Sequence, residues 1–170
     1  MSVERDLNDL KLRLREIQDL GAAVSVLHWD QTTYMPPGGV KARGRQLALL
    51  SRIGHARATD PVIGRLLDRL TAYTSSLPSD HDDAALFSVA RRDFERAVRI
   101  PVEYSERLAK HASETYAAWV EARPRNDFQS LKSGLEKTLD LSREYANFFP
   151  GHTHLADPMI DAASPTLTYI

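Results

Sequence analysis

The residue types able to carry chemistry in this sequence are six histidines, a scatter of carboxylates and hydroxyls, and no cysteine. A hydrolytic zinc site on a helix needs two His at i and i+4 on one face, with a Glu between them as general base. No His in the chain is followed by Glu. The nearest approximation is His111-Ala112-Ser113-Glu114, which puts an imidazole and a carboxylate on one helix face at i and i+3 but supplies no second His. It reads as a polar pair on an exposed or partly buried helix surface. His152 and His154 point to one side if their segment is extended, and Asp157 is the only further ligand type close by, which is short of a built site. His28 and Asp30 share that deficit. The lack of cysteine removes disulfides, thiolate nucleophiles and cysteine-based zinc sites together.

Other chemistries also lack their parts. No Gly-x-Ser-x-Gly elbow occurs, nor a strand for one to follow, and Gly38-Gly39 lacks the Gly-Lys-Ser/Thr ending of a phosphate loop. The arginines of residues 91–99 are interleaved with Asp93 and Glu95, and those of residues 40–57 stand in a chain of net charge −1, so nucleic acid is not the expected partner. Glu4, Arg5, Asp6, Asp9, Lys11 and Arg13 interrupt any apolar run at the start, and the longest nearly apolar stretch, residues 21–27, is far short of the ~20 residues that span a membrane. No membrane is expected, and cytoplasm is the expected location.

The elements that position these side chains are helices. Between the prolines the apolar period is 3.6 rather than 2, and no window alternates as a strand would. The expected fold is all-α, a bundle of about six helices over residues 1–149 followed by an irregular, proline-rich C-terminal tail at 150–170. Helix one is expected at 3–27, with Val3, Leu7, Leu10, Leu14, Ile17 and Val24 as its apolar stripe. Gly21 in that seam admits a close neighbour or marks a bend. Helix two follows at 40–57 with Leu47, Leu50 and Ile53 inward. Helix three has Asp60 as N-cap and Pro61 at its first position. Helix four is oriented by Asp80, Asp82 and Asp83 at its start and Arg91, Arg92, Arg96 and Arg99 at its end. Helix five runs over 101–123. Helix six opens on an Asn126/Gln129 capping box and buries Phe128, Leu131, Leu135, Leu139, Ala146 and Phe149.

The stretch around which the helices are arranged is residues 28–39, where Pro36-Pro37-Gly38-Gly39 ends helix one and forces a corner. Trp29, Tyr34 and Met35 there are expected to plug the end of the bundle, while Asp30, Thr32 and Thr33 cap free backbone groups beside Pro36. His28-Trp29-Asp30-Gln31-Thr32-Thr33-Tyr34-Met35-Pro36-Pro37-Gly38-Gly39, with Ala42, Arg43, Gln46, Leu47, Leu50 and Ser51 after it, closely resembles the N-terminal region of the thermostable carboxypeptidase family, the zinc carboxypeptidases typified by carboxypeptidase Taq. The resemblance continues through Asp60-Pro61-Val62-Ile63-Gly64, Ile100-Pro101, Trp119, Ala122-Arg123, Asn126-Asp127-Phe128 and Leu135-Glu136-Lys137.

The resemblance implies a helical module that walls one side of the substrate groove of an enzyme removing single residues from peptide C-termini. Zinc or another divalent metal is implied for the full-length family. The family's His-Glu-x-x-His portion has no counterpart here, so no catalytic residue, cofactor-binding residue or metal ligand carries over, and the chain alone is expected to be inactive. The other reading is a stand-alone helical dimerisation or regulatory module derived from that family. Ser164-Pro165-Thr166-Leu167 reads as an N-cap and first helical turn, so the tail is expected to be a truncated continuation. Apolar faces left uncovered would then favour the missing catalytic portion or a homodimer as partner, with the helix-one seam as the expected surface.

Overall fold

The structure is a computed structural model and describes residues 2–163. All of the regular structure among them is helical: α1 (Val3–Thr33), α2 (Val40–Ala58), α3 (Pro61–Ser75), α4 (Asp82–Arg99), α5 (Val102–Ala122), α6 (Phe128–Asn147) and α7 (Asp157–Ala163), with 3-10 turns at Pro37–Gly39 and Arg123–Arg125. The chain divides into two compact units, Met1–Val98 and Arg99–Ile170.

In the first unit the N-terminal half of α1 packs with α3 and α4. Leu10, Ile63, Leu66, Leu67, Leu70 and Ala90 form the buried core, and Leu7, Leu14, Ile17, Phe87 and Phe94 pack against it. Each fully buried Leu or Ile contributes about 1.5–3 kcal/mol. The helix-one stripe is thus half right. Leu10 is fully buried, but Val3 is 44% exposed and the seam beyond Ile17 faces α2 without any fully buried residue. Leu47 and Leu50 are half-buried, and Ile53 is exposed. Gly21 has nothing within 4 Å of where a Cβ would stand, so it admits no close neighbour.

Asp60 caps α3 as the sequence predicts, its Oδ1 accepting the Val62 N–H at 2.8 Å, with Pro61 at the first helical position. Further along α3, a Cβ on Gly64 would lie 2.9 Å from Cζ of Phe94, so the missing side chain is what lets the α4 ring sit against α3. Charged groups on the rim join the same three helices. Arg69 donates two hydrogen bonds to Asp6 at 2.7 and 3.1 Å, and Arg13 bonds Asp60 at 3.0 Å. Lys11 pairs with Asp83 at 2.7 Å, and the same carboxylate accepts from the Tyr73 hydroxyl at 3.3 Å.

The second unit is an antiparallel α5–α6 hairpin with α7 against α6. Tyr104 is buried and donates its hydroxyl to the Leu141 carbonyl at 3.0 Å, while its ring meets Phe148 edge-on at 5.1 Å. The turn between the helices is made by Asn126 in the left-handed region, φ 53°, where asparagine is tolerated because its short polar side chain bonds locally. That conformation removes Asn126 from the expected capping box. The cap is Asp127, whose Oδ1 accepts the Ser130 N–H at 3.2 Å. The α6 stripe is displaced as well: Phe128, Leu135 and Leu139 are exposed, and Leu141, Ala146 and Phe149 are buried. Residues 157–163, expected to be irregular, form α7. The expected helix start at Ser164–Leu167 lies outside the described residues.

Candidate functional site

The corner between α1 and α2 is built differently from its sequence reading. No residue from 28 to 33 breaks a helix, and the first backbone restriction comes at the residue before Pro36. α1 accordingly continues to Thr33 and ends with the N–H groups of Tyr34 and Met35 both donating to the Asp30 carbonyl, at 3.0 and 2.9 Å. Trp29 and Tyr34 plug nothing. They are 58% and 75% exposed and stack edge to face at 5.4 Å. Thr32 and Thr33 do not cap free N–H groups either; their hydroxyls donate back to the Trp29 carbonyl at 2.9 and 2.7 Å. Of the expected plug only Met35 is half-buried, lying 3.0 Å from the place a Cβ on Gly39 would occupy.

What closes the corner is Arg43, from the first turns of α2. Its guanidinium donates through Nη1 to the Leu27 carbonyl and through Nη2 to Oδ2 of Asp30 at 2.5 Å, with the Arg43 side chain 12% exposed. The C-terminal end of a helix carries partial negative charge, and the last turn of α1 has no basic residue of its own. Asp30 adds a full negative charge there, so a cation from the neighbouring helix is needed, and arginine supplies two donors in a fixed plane. Asp30 is therefore an ion-pair partner and not a cap. Beside it, Oε1 of Gln31 is buried with no hydrogen-bond partner among the described residues.

The histidine candidates do not converge. His111 is 4% exposed, its Nε2 2.8 Å from the Thr138 hydroxyl. Because Thr138 donates its own proton to the Gly134 carbonyl at 3.0 Å, it accepts from His111, which sets the Nε2–H tautomer. Glu114 faces elsewhere, pairing with Lys110 at 3.8 Å. Nor do His152 and His154 form a metal pair with Asp157. Asp157 is buried and accepts the His154 backbone N–H at 2.9 Å, while Nδ1 of His154 accepts the Ala156 N–H at 3.1 Å. Among the described residues no three His, Cys, Asp or Glu side chains are placed to hold a metal ion. The zinc implied by the resemblance therefore does not fit the residues present, and no catalytic step is derived through it. One groove of about 400 Å³ opens between α1, α3 and α4, lined by Leu14, Ile17, Ile63, Val89 and Phe94 with Asp93 at its edge, and it offers no cation to a peptide carboxylate. No helix among the described residues is long and apolar enough to cross a membrane.

The described residues thus form an all-helical fold with an α1–α2 hairpin fastened at its corner by an arginine. The chain belongs to the carboxypeptidase Taq (M32) metallopeptidase family, whose pattern it matches over residues 9–169. It is 33% identical over 162 residues to thermostable carboxypeptidase 1 of Thermus thermophilus, a match covering 89% of this chain and 31% of that one. Among solved structures, the M32 carboxypeptidase of Deinococcus radiodurans R1 is 40% identical with a TM-score of 0.76, over 96% of this chain and 32% of that protein. Trypanosoma cruzi metallocarboxypeptidase 1 is 25% identical with a TM-score of 0.79, over 98% and 33%. The chain thus spans about a third of the length of the relatives it matches.

Sequence reasoning placed Arg43 within the resemblance and gave it no role. The signal that marks it is local: a helix C-terminus holding Asp30 and no base, followed after one turn of chain by an arginine.

Proposed function

We propose that the chain is the N-terminal helical module of a zinc-dependent metallocarboxypeptidase that removes residues from peptide C-termini. It covers one side of the substrate groove and is not catalytic on its own. The observation that carries this reading is the family match over residues 9–169, set against a coverage of 31% of the Thermus relative. Supporting it, none of the six histidines is followed by Glu, and hydrolysis by zinc needs three converging ligands and a general base. In this role Arg43 and Asp30 hold the α1–α2 hairpin at a fixed corner, and no residue of the chain touches the reacting bond. A cytoplasmic location is part of this reading, supported by a composition free of cysteine.

The stand-alone dimerisation or regulatory module is the second reading. Its expected surface, the helix-one seam, is occupied at Leu7, Leu10, Leu14 and Ile17 by the chain's own core, so a homodimer would have to use another surface. The test of the first reading is metal analysis after dialysis together with a peptide-release assay in added zinc or cobalt. The expected results are no stoichiometric metal and no release. Release by the chain would refute the non-catalytic assignment, and release that persists in His111→Ala/Glu114→Ala would place the catalytic site away from that pair.

A further inference from the structure

The second unit has two unlike faces. The contacts Arg107–Glu144, His111–Thr138 and Tyr104–Leu141 fix α5 and α6 as antiparallel and define the line along which they face each other. At 3.6 residues per turn, Leu108, Tyr116 and Trp119 lie on one flank of that line on α5, and Phe128, Leu135 and Leu139 lie on the matching flank of α6. In an antiparallel pair of right-handed helices those two flanks come to the same side. The opposite side carries Arg107, Lys110, Glu114, Asp140 and Glu144, joined in part by the Arg107–Glu144 and Lys110–Glu114 pairs. The apolar side is open: Leu108 is 39% exposed, Tyr116 39%, Trp119 45%, Phe128 59%, Leu135 38% and Leu139 55%.

We infer that this α5–α6 face is the docking surface for the remaining, metal-bearing portion of a carboxypeptidase Taq polypeptide, an inference that rests on the function proposed above. Side chains of roughly 150–250 Å² each, open to this degree, leave on the order of 500 Å² of apolar surface, at the upper end of what single chains expose. A stable pair of copies buries about 800 Å² on each partner, roughly 56–65% of it apolar, so this area suits a second copy as well, and the choice of occupant rests on the length of the relatives. The relatives carry about two thirds of their length beyond the part this chain matches. A body of that size covers the face and extends past its rim. The charged side, its groups already paired, is the one left to solvent.

The test uses the intact chain in a Trp29→Phe background, where Trp119 is the only tryptophan left. It is compared alone and joined ahead of the carboxyl-terminal two thirds of the Deinococcus radiodurans M32 carboxypeptidase, with every tryptophan of that added portion replaced by phenylalanine so that Trp119 alone is read. Alone, Trp119 is expected to be open to acrylamide, and Leu139→Lys is expected to leave the urea midpoint unchanged. Joined, quenching of Trp119 falls several-fold, its emission moves to the blue, and Leu139→Lys lowers the melting temperature. Three results would overturn the inference: a joined protein that does not fold or leaves Trp119 equally quenched, an isolated chain that Leu139→Lys unfolds, or a concentration-dependent dimer that Leu139→Lys abolishes, which would assign the face to a second copy. Protected Trp119 in a joined protein that releases no residue from peptides would support the surface and refute the proposed function, so the two failures are separable.

Discussion

Replacing Gly64 by Ala opposes two effects of known size. Within a helix, alanine is favoured over glycine by about 0.8–1.0 kcal/mol. At Gly44, in α2, nothing lies within 4 Å of the added methyl, so Gly44→Ala is expected to stabilise by about that amount. At Gly64 the methyl arrives 2.9 Å from Cζ and 3.0 Å from Cε1 of Phe94, inside the ~3.5–4.0 Å at which carbon atoms pack. The ring must give way within the α1–α3–α4 core, and overpacking of this kind costs about 1–3 kcal/mol. Phe94 also borders the groove, which gives it one direction to move. Gly64→Ala is therefore expected to be less stable than Gly44→Ala by about 1–3 kcal/mol, read as urea midpoints from helical ellipticity at 222 nm. In a Phe94→Leu background, with the ring edge removed, most of that gap should close. Equal midpoints for Gly64→Ala and Gly44→Ala would show that the α3–α4 contact does not depend on the missing Cβ, and the packing argument would fail.

Arg43→Lys keeps the charge but loses the paired planar donors, and should destabilise the α1–α2 hairpin by about 1.5–3 kcal/mol, the range for hydrogen bonds to charged groups. Faster proteolysis at residues 34–39 is the accompanying readout, and an unchanged cleavage rate would mean that Arg43 does not hold the corner. Acid sensitivity has a worked sign. The Arg69 hydrogen bonds hold Asp6 below its ordinary pKa, and Lys11 with the Tyr73 hydroxyl does the same for Asp83, in each case against the opposing effect of burial. Both groups are depressed in the folded state, so their stabilisation is present above the ordinary carboxylate value of 3.8 and is lost as pH falls through the lower folded values. The midpoint should hold from pH 7 to about pH 5 as far as these groups act, then drop below about pH 4. Lys11→Met/Arg69→Gln should make that drop shallower, and an unaltered acid slope would remove these pairs from the explanation.

The sequence by itself determined the helical class, the family and most of the punctuation, because those depend on local properties. Period, proline positions and the Asp60-Pro61 start act within a few residues of one another, and the Asp60 cap and the α3 core residues Ile63, Leu66, Leu67 and Leu70 lie where the period puts them. The resemblance, too, is a matter of residue order. What only the tertiary structure decided is which side of an apolar stripe meets a neighbour. Phe128, Leu135 and Leu139 carry the same helical signal as Ala146 and Phe149, yet they are exposed, because the register of α6 on α5 is set by Thr138 on His111 and Leu141 on Tyr104. The contacts of Arg43 and Phe94 were likewise decided by the tertiary structure. One acts across 13 residues on Asp30, the other meets Gly64 from a different helix, and a contact between separate helices leaves no period in the sequence of either.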